Sequence, residues 1–312
     1  MRRRMYMRLL AVIALVGAVF GLCSQLASGN VRDAENRMLF GMDDPLGDDY
    51  GPGTYTYPTH PAFSPHSGIL DLKRFEVFDS GDTIDFYFTF AMMTNPWHAP
   101  EGFSHQLIDL YIDCIDRAGR DRPLREGPRV RFPVEFGWDY LIRVVAWGGC
   151  RLFRADDPTN SKGTKDGISA ALLPDGNTIR VSVRRDHFEV EPSSNWIYYC
   201  LVGAQDVFGE DEYRPVMREV GLWHFGGAED EKLAPYVIDL LAPGSGPKSQ
   251  KAQLSSYDAG SSTYALLHPV GGPPVSLVTI VVLVVTILLL VGIGLGLAFF
   301  GRMENKRPPG IL

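Results

Sequence analysis

Cysteine is scarce in this chain, with four among 312 residues. Cys23 ends an apolar N-terminal run, and the bulky Leu22 before it argues against a lipoprotein acceptor. That leaves Cys114, Cys150 and Cys200, too few for the disulfide framework of a small secreted scaffold and without zinc-type pairing. An oxidising exterior would allow one disulfide and one spare thiol, and three buried thiols is the other reading; sequence alone does not choose between them. A surplus of basic charge is also missing: 30 Lys and Arg stand against 37 Asp and Glu, a formal net charge of −7. Such a balance offers no basic stripe for nucleic acid. Catalytic signatures are absent too, with no G-x-S-x-G elbow, H-E-x-x-H pair or Walker loop. Acidic residues are numerous enough that some pair must be close, which identifies no glycosidase pair. Ser104 and His105 beside Glu101 suggest a cluster, but neighbours in a strand point to opposite faces. No internal repeat of fixed period occurs. The chain therefore reads as non-catalytic.

What is present begins at the two ends. Arg2, Arg3, Arg4 and Arg8 precede an apolar run from Leu9 to Leu22, and Ala27-Ser28-Gly29 suits a signal peptidase, so residues 1–29 read as a secretory signal. From Val275 to Phe300 no residue is charged, a length that crosses a bilayer at about 1.5 Å per helical residue. Arg302, Lys306 and Arg307 follow, which puts residues 301–312 in the cytoplasm. The expectation is a single-pass type I protein of the cell membrane with its folded part outside.

Between these ends the pattern is that of strands. Leu72, Phe75 and Val77 lead to a turn at Asp79-Ser80-Gly81-Asp82, and Ile84, Phe86, Phe88 and Phe90 follow on one face, which predicts a β-hairpin. "SHQLIDLYIDCID", "WDYLIRVVAWGG", "NTIRVSVRRDHF" and "NWIYYCLVGAQD" continue the theme, with a polar loop at "RADDPTNSKGTKDG" and a short turn near "RDHFEV". The fold class expected is all-β, an antiparallel β-sandwich with one C-terminal transmembrane helix. Residues 30–41 read as a lead, 42–253 as the sandwich, and 254–274, rich in Gly, Ser and Pro, as a flexible tether.

The stretch "DDPLGDDYGPGTYTYP" crowds Asp43, Asp44, Asp48 and Asp49 into seven residues. Four like charges on a tight turn repel unless water screens them or a hard cation neutralises them. The spacing is not that of an EF-hand, so on residue chemistry a calcium site rests on charge density and a solvated acidic turn is the competing reading.

That stretch, with "NPW…GFS", "LVGAQDVFG", "YRPV", "WHFGGAED" and "VIDLLAP", resembles the C-terminal DOMON-like module of glucodextranases over about Met42 to Gln253. The module, found also in archaeal and bacterial surface and pullulanase-type proteins, is a β-sandwich similar to family 9 carbohydrate-binding modules. The resemblance implies carbohydrate or surface-glycan binding and a structural Ca2+ near the start of the domain. Asp44, Asp48 and Asp49 match the calcium positions, Asp43 less closely, and Asp71 and Asp206 would close the shell if their segments come near. His98 after Trp97 and Val207 after Asp206 depart from the family pattern where Gly is expected.

Flat aromatic faces suit the apolar faces of sugar rings. Trp97 and Trp138, with Glu101, His105 and Asp139 close by in sequence, are the expected sugar-stacking set; Trp147 and Trp196 lie in apolar strands and read as core. Expected partners are a glycan, the membrane, and a surface enzyme or transporter complex. Two other readings are a surface-layer or complex-forming domain that binds no sugar, and a haem-holding DOMON protein using Met92 or Met93 with His187 or His224.

Overall fold

Strand β1 (Arg37–Asp43) begins within the stretch read as a lead, and pairs antiparallel with β2 (Leu72–Asp79). β2 turns into β3 (Thr83–Phe90) through the expected hairpin, where Asp79 faces Ile84, Ser80 N–H donates to the Thr83 carbonyl and Gly81 takes φ +80°. The next strands are β4 (Gln106–Asp113), β5 (Val130–Arg131), β6 (Tyr140–Val144), β7 (Arg151–Arg154) and β8 (Ile168–Leu172). β9 (Thr178–Arg184) and β10 (Ile197–Ala204) follow, then β11 (Asp239–Leu240), a short helix α1 (Gln250–Leu254), β12 (Ala265–Leu266) and β13 (Val270–Gly271). This computed structural model of the chain describes residues 36–64, 66–124, 127–157, 161–206 and 212–272.

Two antiparallel sheets result. One has the order β1-β2-β3-β9-β8; the other runs β11-β10-β4-β6-β7, with β13 also paired to β10. Between them lies the main core. Phe75, Phe86 and Phe88 of the first sheet meet Tyr198 and Ile108, Leu110 and Ile112 of the second, all almost fully buried. Each such side chain contributes about 1.5–3 kcal/mol relative to exposure. The Phe75 and Tyr198 rings lie edge to face at 5.5 Å and tie the sheets together.

The outer face of the second sheet is covered as well. Leu107 and Tyr111, on the opposite side of β4 from Ile108 and Ile112, pack with Phe132, Trp138, Leu201, Leu254 and Leu267 in a second core. The segments that cover it include residues 254–272, read from composition as a flexible tether. They are folded: Ser249 caps α1, Gln253 Oε1 accepts the His268 N–H at 2.6 Å, and Leu254, Ala265 and Leu267 are buried. Gly and Ser content could not reveal this, because Leu254, Ala265, Leu267 and Val270, set among polar and small residues, carry the burial. Among the described residues no helix is long and apolar enough to cross a membrane. The Val275–Phe300 run and the N-terminal signal lie outside the described residues.

The three thiols are free. Cys150 and Cys200 are buried and Cys114 half-buried, each belonging to or flanking a different strand of the second sheet. Burial raises all three, Cys150 to about 11, so they are protonated at neutral pH.

Candidate functional site

The acidic opening folds into a buried carboxylate centre. Asp44 follows β1, and its Oδ1 accepts the Ala242 N–H at 2.9 Å. After the turn at Gly47, Asp48 is held by its own carbonyl, which accepts the Gln250 amide from α1. Asp71, just before β2, accepts the Gly47 N–H at 2.8 Å, and Asp49 accepts the Tyr57 hydroxyl at 2.5 Å. The fifth member is Asp239 of β11, fully buried, which accepts the N–H groups of Leu72 and Leu240 at 2.6 and 2.8 Å. Carboxylate oxygens of Asp44, Asp48 and Asp239 all lie within 4.8 Å of one another.

No Lys, Arg or His among the described residues pairs with any of these five carboxylates. Asp44 Oδ2, Asp48 Oδ1 and Asp71 Oδ1 are buried and meet no hydrogen-bond donor. Burial raises Asp44 to about 9, with the charges of Asp48 and Asp71 adding to it. Asp48 and Asp71 are each pushed up to about 6, again by burial first and neighbouring carboxylates second. Burial and the charge of Asp44 hold Asp239 well above its ordinary range. The convergence of Asp44, Asp48 and Asp239, with unpartnered buried oxygens on Asp44, Asp48 and Asp71 and no counter-charge, matches the donor set of a hard divalent cation.

Of the residues singled out from sequence, Asp44, Asp48, Asp49 and Asp71 come together here. Asp43 does not: it is exposed and pairs with Arg74 at 2.5 Å. Asp206 lies past the end of β10, where its N–H donates to the Glu212 carbonyl and its charge acts on Arg214. Asp239 was missed, although "VIDLLAP" carried a signal, a lone acid inside an apolar terminal run.

The aromatic residues are arranged differently from the expectation. Trp138 is fully buried, its Nε1 donates to the Arg122 carbonyl, and its ring meets Tyr111 edge to face. It has no face left for a sugar. Trp97 is half-buried, with ring centroids 6.0 Å from Phe63 and 4.7 Å from His105. His105 is buried, and burial first, then the charge of Arg214, lowers it to about 3, so it is neutral. Asp139 is buried and accepts the N–H groups of Cys114 and Ile115, both at 2.8 Å. These four are parts of the scaffold.

Glu101 has a different role. Its carboxylate accepts the N–H of Trp147 at 2.9 Å and of Gly148 at 2.6 Å, at the tip of the β6–β7 hairpin. There Trp147 (φ +56°) and Gly148 (φ +65°) are both left-handed, and the Gly149 N–H closes the turn on the Ala146 carbonyl at 3.2 Å. Positive φ at both central residues is the pattern of a type I′ turn, which favours Asn or Gly at the first of them. A tryptophan there is strained, and the residue is left 45% exposed. Only the paired glycines after Trp147 hinted at a turn; the apolar residues before it read as strand.

Of the haem candidates, Met93 and His187 do not converge. Met93 packs against the core just past β3, near the start of β9, whereas His187 follows the far end of β9 and bonds the Asp166 carbonyl. Seven residues of strand separate those ends by roughly 20 Å. His224 closes a separate turn on Gly221.

No curated protein sequence matches the chain. Residues 39–269 match the family described as the C-terminal binding module, SLH-like, of glucodextranase, a binding module and not a catalytic domain. With nearly three quarters of its length inside that match, and a two-sheet sandwich built from the same residues, the chain belongs to the glucodextranase C-terminal binding-module family.

Proposed function

We propose that this protein is a non-catalytic module that binds a glucan or surface glycan outside the cell, held at the membrane by Val275–Phe300, with calcium in the carboxylate centre as a structural ion. The observation that carries the glycan reading is Trp147. An indole costs free energy in a left-handed turn and in water, and a carboxylate on both turn amides holds it there. Among the described residues Trp147 belongs to neither core, whereas a flat exposed indole suits the C–H face of a pyranose ring.

Strand register supports the orientation. β13, the last strand before the apolar run, pairs with the start of β10, which lies beside the end of β4 and the start of β6. Trp147 follows the opposite end of β6, roughly 20 Å away along the strand. Only Pro273 and Pro274 separate the last described residue from Val275. The domain would sit directly on the bilayer, with Trp147 at the far end.

In the full-length protein in detergent, Trp147→Ala is expected to weaken retention on the glycan ligand, found by array or affinity gel, by about tenfold or more. Its melting temperature should be unchanged. Trp97→Ala and Trp138→Ala are expected to lower the melting temperature instead. Retention that survives Trp147→Ala would reject this site. No retention on any glycan, with proteins recovered from membranes, would favour a surface-layer or complex-forming domain.

A further inference from the structure

A groove lined by basic residues lies on the cover of the outer face. Arg120, Arg122, Arg129, Arg131 and Lys232 line one open cavity of about 850 Å3, with Asp230 the only acidic lining residue among the described residues. Among the described residues none of these five cations forms an ion pair, in a chain whose formal net charge is −7. The cations come from three separate segments, and the structure holds several of them in place. Arg129 lies 3.9 Å over the Tyr236 ring and bonds the Glu231 carbonyl. Arg131 Nε donates to the Tyr264 carbonyl at 3.0 Å, and Arg120 sits over the Trp138 ring at 5.4 Å. Arg129 keeps φ +52°, unfavourable for a residue with a side chain, so its loop is fixed by its surroundings.

Five like charges gathered around a concavity repel one another, and the Asp230 carboxylate is turned to the backbone, its Oδ1 accepting the N–H groups of Lys232 and Leu233. A ligand bearing several separated anionic groups would relieve that repulsion. The wall also offers the hydroxyls of Ser262 and Thr263 and the ring of Tyr264, partners suited to sugar hydroxyls and C–H faces. A concave groove fits a polymer strand better than it fits the flat surface of a bilayer.

We infer that this groove binds an acidic polysaccharide carrying uronate or sulfate groups, a site separate from Trp147; the inference rests on the carbohydrate-binding reading above. The test uses the full-length protein in detergent on gels bearing dextran, dextran sulfate or polygalacturonate. Two variants lose the same charge: Arg122→Glu/Lys232→Glu in the groove, and Lys162→Glu/Lys248→Glu on exposed positions elsewhere. Expected is salt-sensitive retention on the two acidic polymers that falls about tenfold or more in the groove variant, with the control variant unaffected. Equal loss in both variants, or no retention of either acidic polymer by the wild type, overturns it. Retention only on vesicles of phosphatidylglycerol and phosphatidylcholine, sensitive to the groove variant, would overturn it in favour of a lipid surface. Loss of neutral-dextran retention on Trp147→Ala, with acidic retention intact, separates the two sites. Groove-dependent acidic retention that Trp147→Ala leaves untouched supports the groove even if no neutral glycan binds.

Discussion

Removing calcium from the full-length protein at pH 8 is expected to lower its melting temperature by roughly 5–10 °C, while retention on glycan at a temperature well below melting stays nearly constant. The size follows from a site filled at about 100 times its Kd, which stabilises by about 2.7 kcal/mol, and from about 2–4 °C per kcal/mol in a domain of this length. The pH dependence makes the prediction sharper. In the cation-free fold Asp44, Asp48 and Asp71 have folded-state values raised above the ordinary 3.8, so the stability they contribute is fully present below that value. It is lost as pH rises through about 6 for Asp48 and Asp71 and about 9 for Asp44. Calcium needs the ionised forms, so its binding strengthens over the same interval. The gap between melting curves in calcium and in chelator should therefore widen from pH 5 to pH 8. Comparing those two curves also cancels the opposite trend of paired acids such as Asp79 and Asp85, whose values are lowered. Asp48→Asn should cross over, raising the melting temperature in chelator by relieving repulsion and lowering it in calcium by removing a ligand. Identical curves with and without calcium at every pH would sink the metal assignment.

Arg143→Met is expected to be the most damaging single change in the scaffold. Arg143 and Asp109 face each other across β6 and β4, both fully buried, with two contacts of 2.7 Å from Nε and Nη2 to the two carboxylate oxygens. Tyr213 donates its hydroxyl to the same carboxylate at 3.0 Å, and Tyr111 approaches at 3.4 Å. Removing the guanidinium leaves a buried carboxylate without its counter-charge, a loss of about 3–5 kcal/mol, or on the order of 10 °C in melting temperature. Replacing both residues, as Asp109→Leu/Arg143→Met, should restore much of the loss, because the desolvation cost of two charges disappears with them. A double-mutant cycle in denaturant measures this coupling directly. Strictly additive losses would show that the pair is not the reason for the instability.

This pair also illustrates how far local pattern reaches. The alternation of Leu107, Asp109 and Tyr111 against Ile108, Leu110 and Ile112 set the two faces of β4 correctly, since side-chain direction in a strand has period two. It gave no sign that the Asp109 face would be covered, because the covering residues Phe132, Leu254 and Leu267 lie in loops and short elements far along the chain. The same limit explains the misread tether: burial of its apolar residues depends on the surface they meet, not on the Gly and Ser around them.

The sequence by itself determined the hairpin from Leu72 to Phe90, the antiparallel sandwich class, the family, and the acid-rich character of the Asp43 to Asp49 turn. Those follow from periodicity, turn chemistry and local charge, which act over a few residues. Tertiary structure alone decided which carboxylates share a centre, admitting Asp71 and Asp239 and leaving Asp43 to Arg74. It also decided which tryptophan faces water, burying Trp138 and holding Trp147 out on Glu101. Both outcomes turn on contacts between segments distant in the chain, where burial and hydrogen-bond partners are set by packing and not by neighbours in sequence.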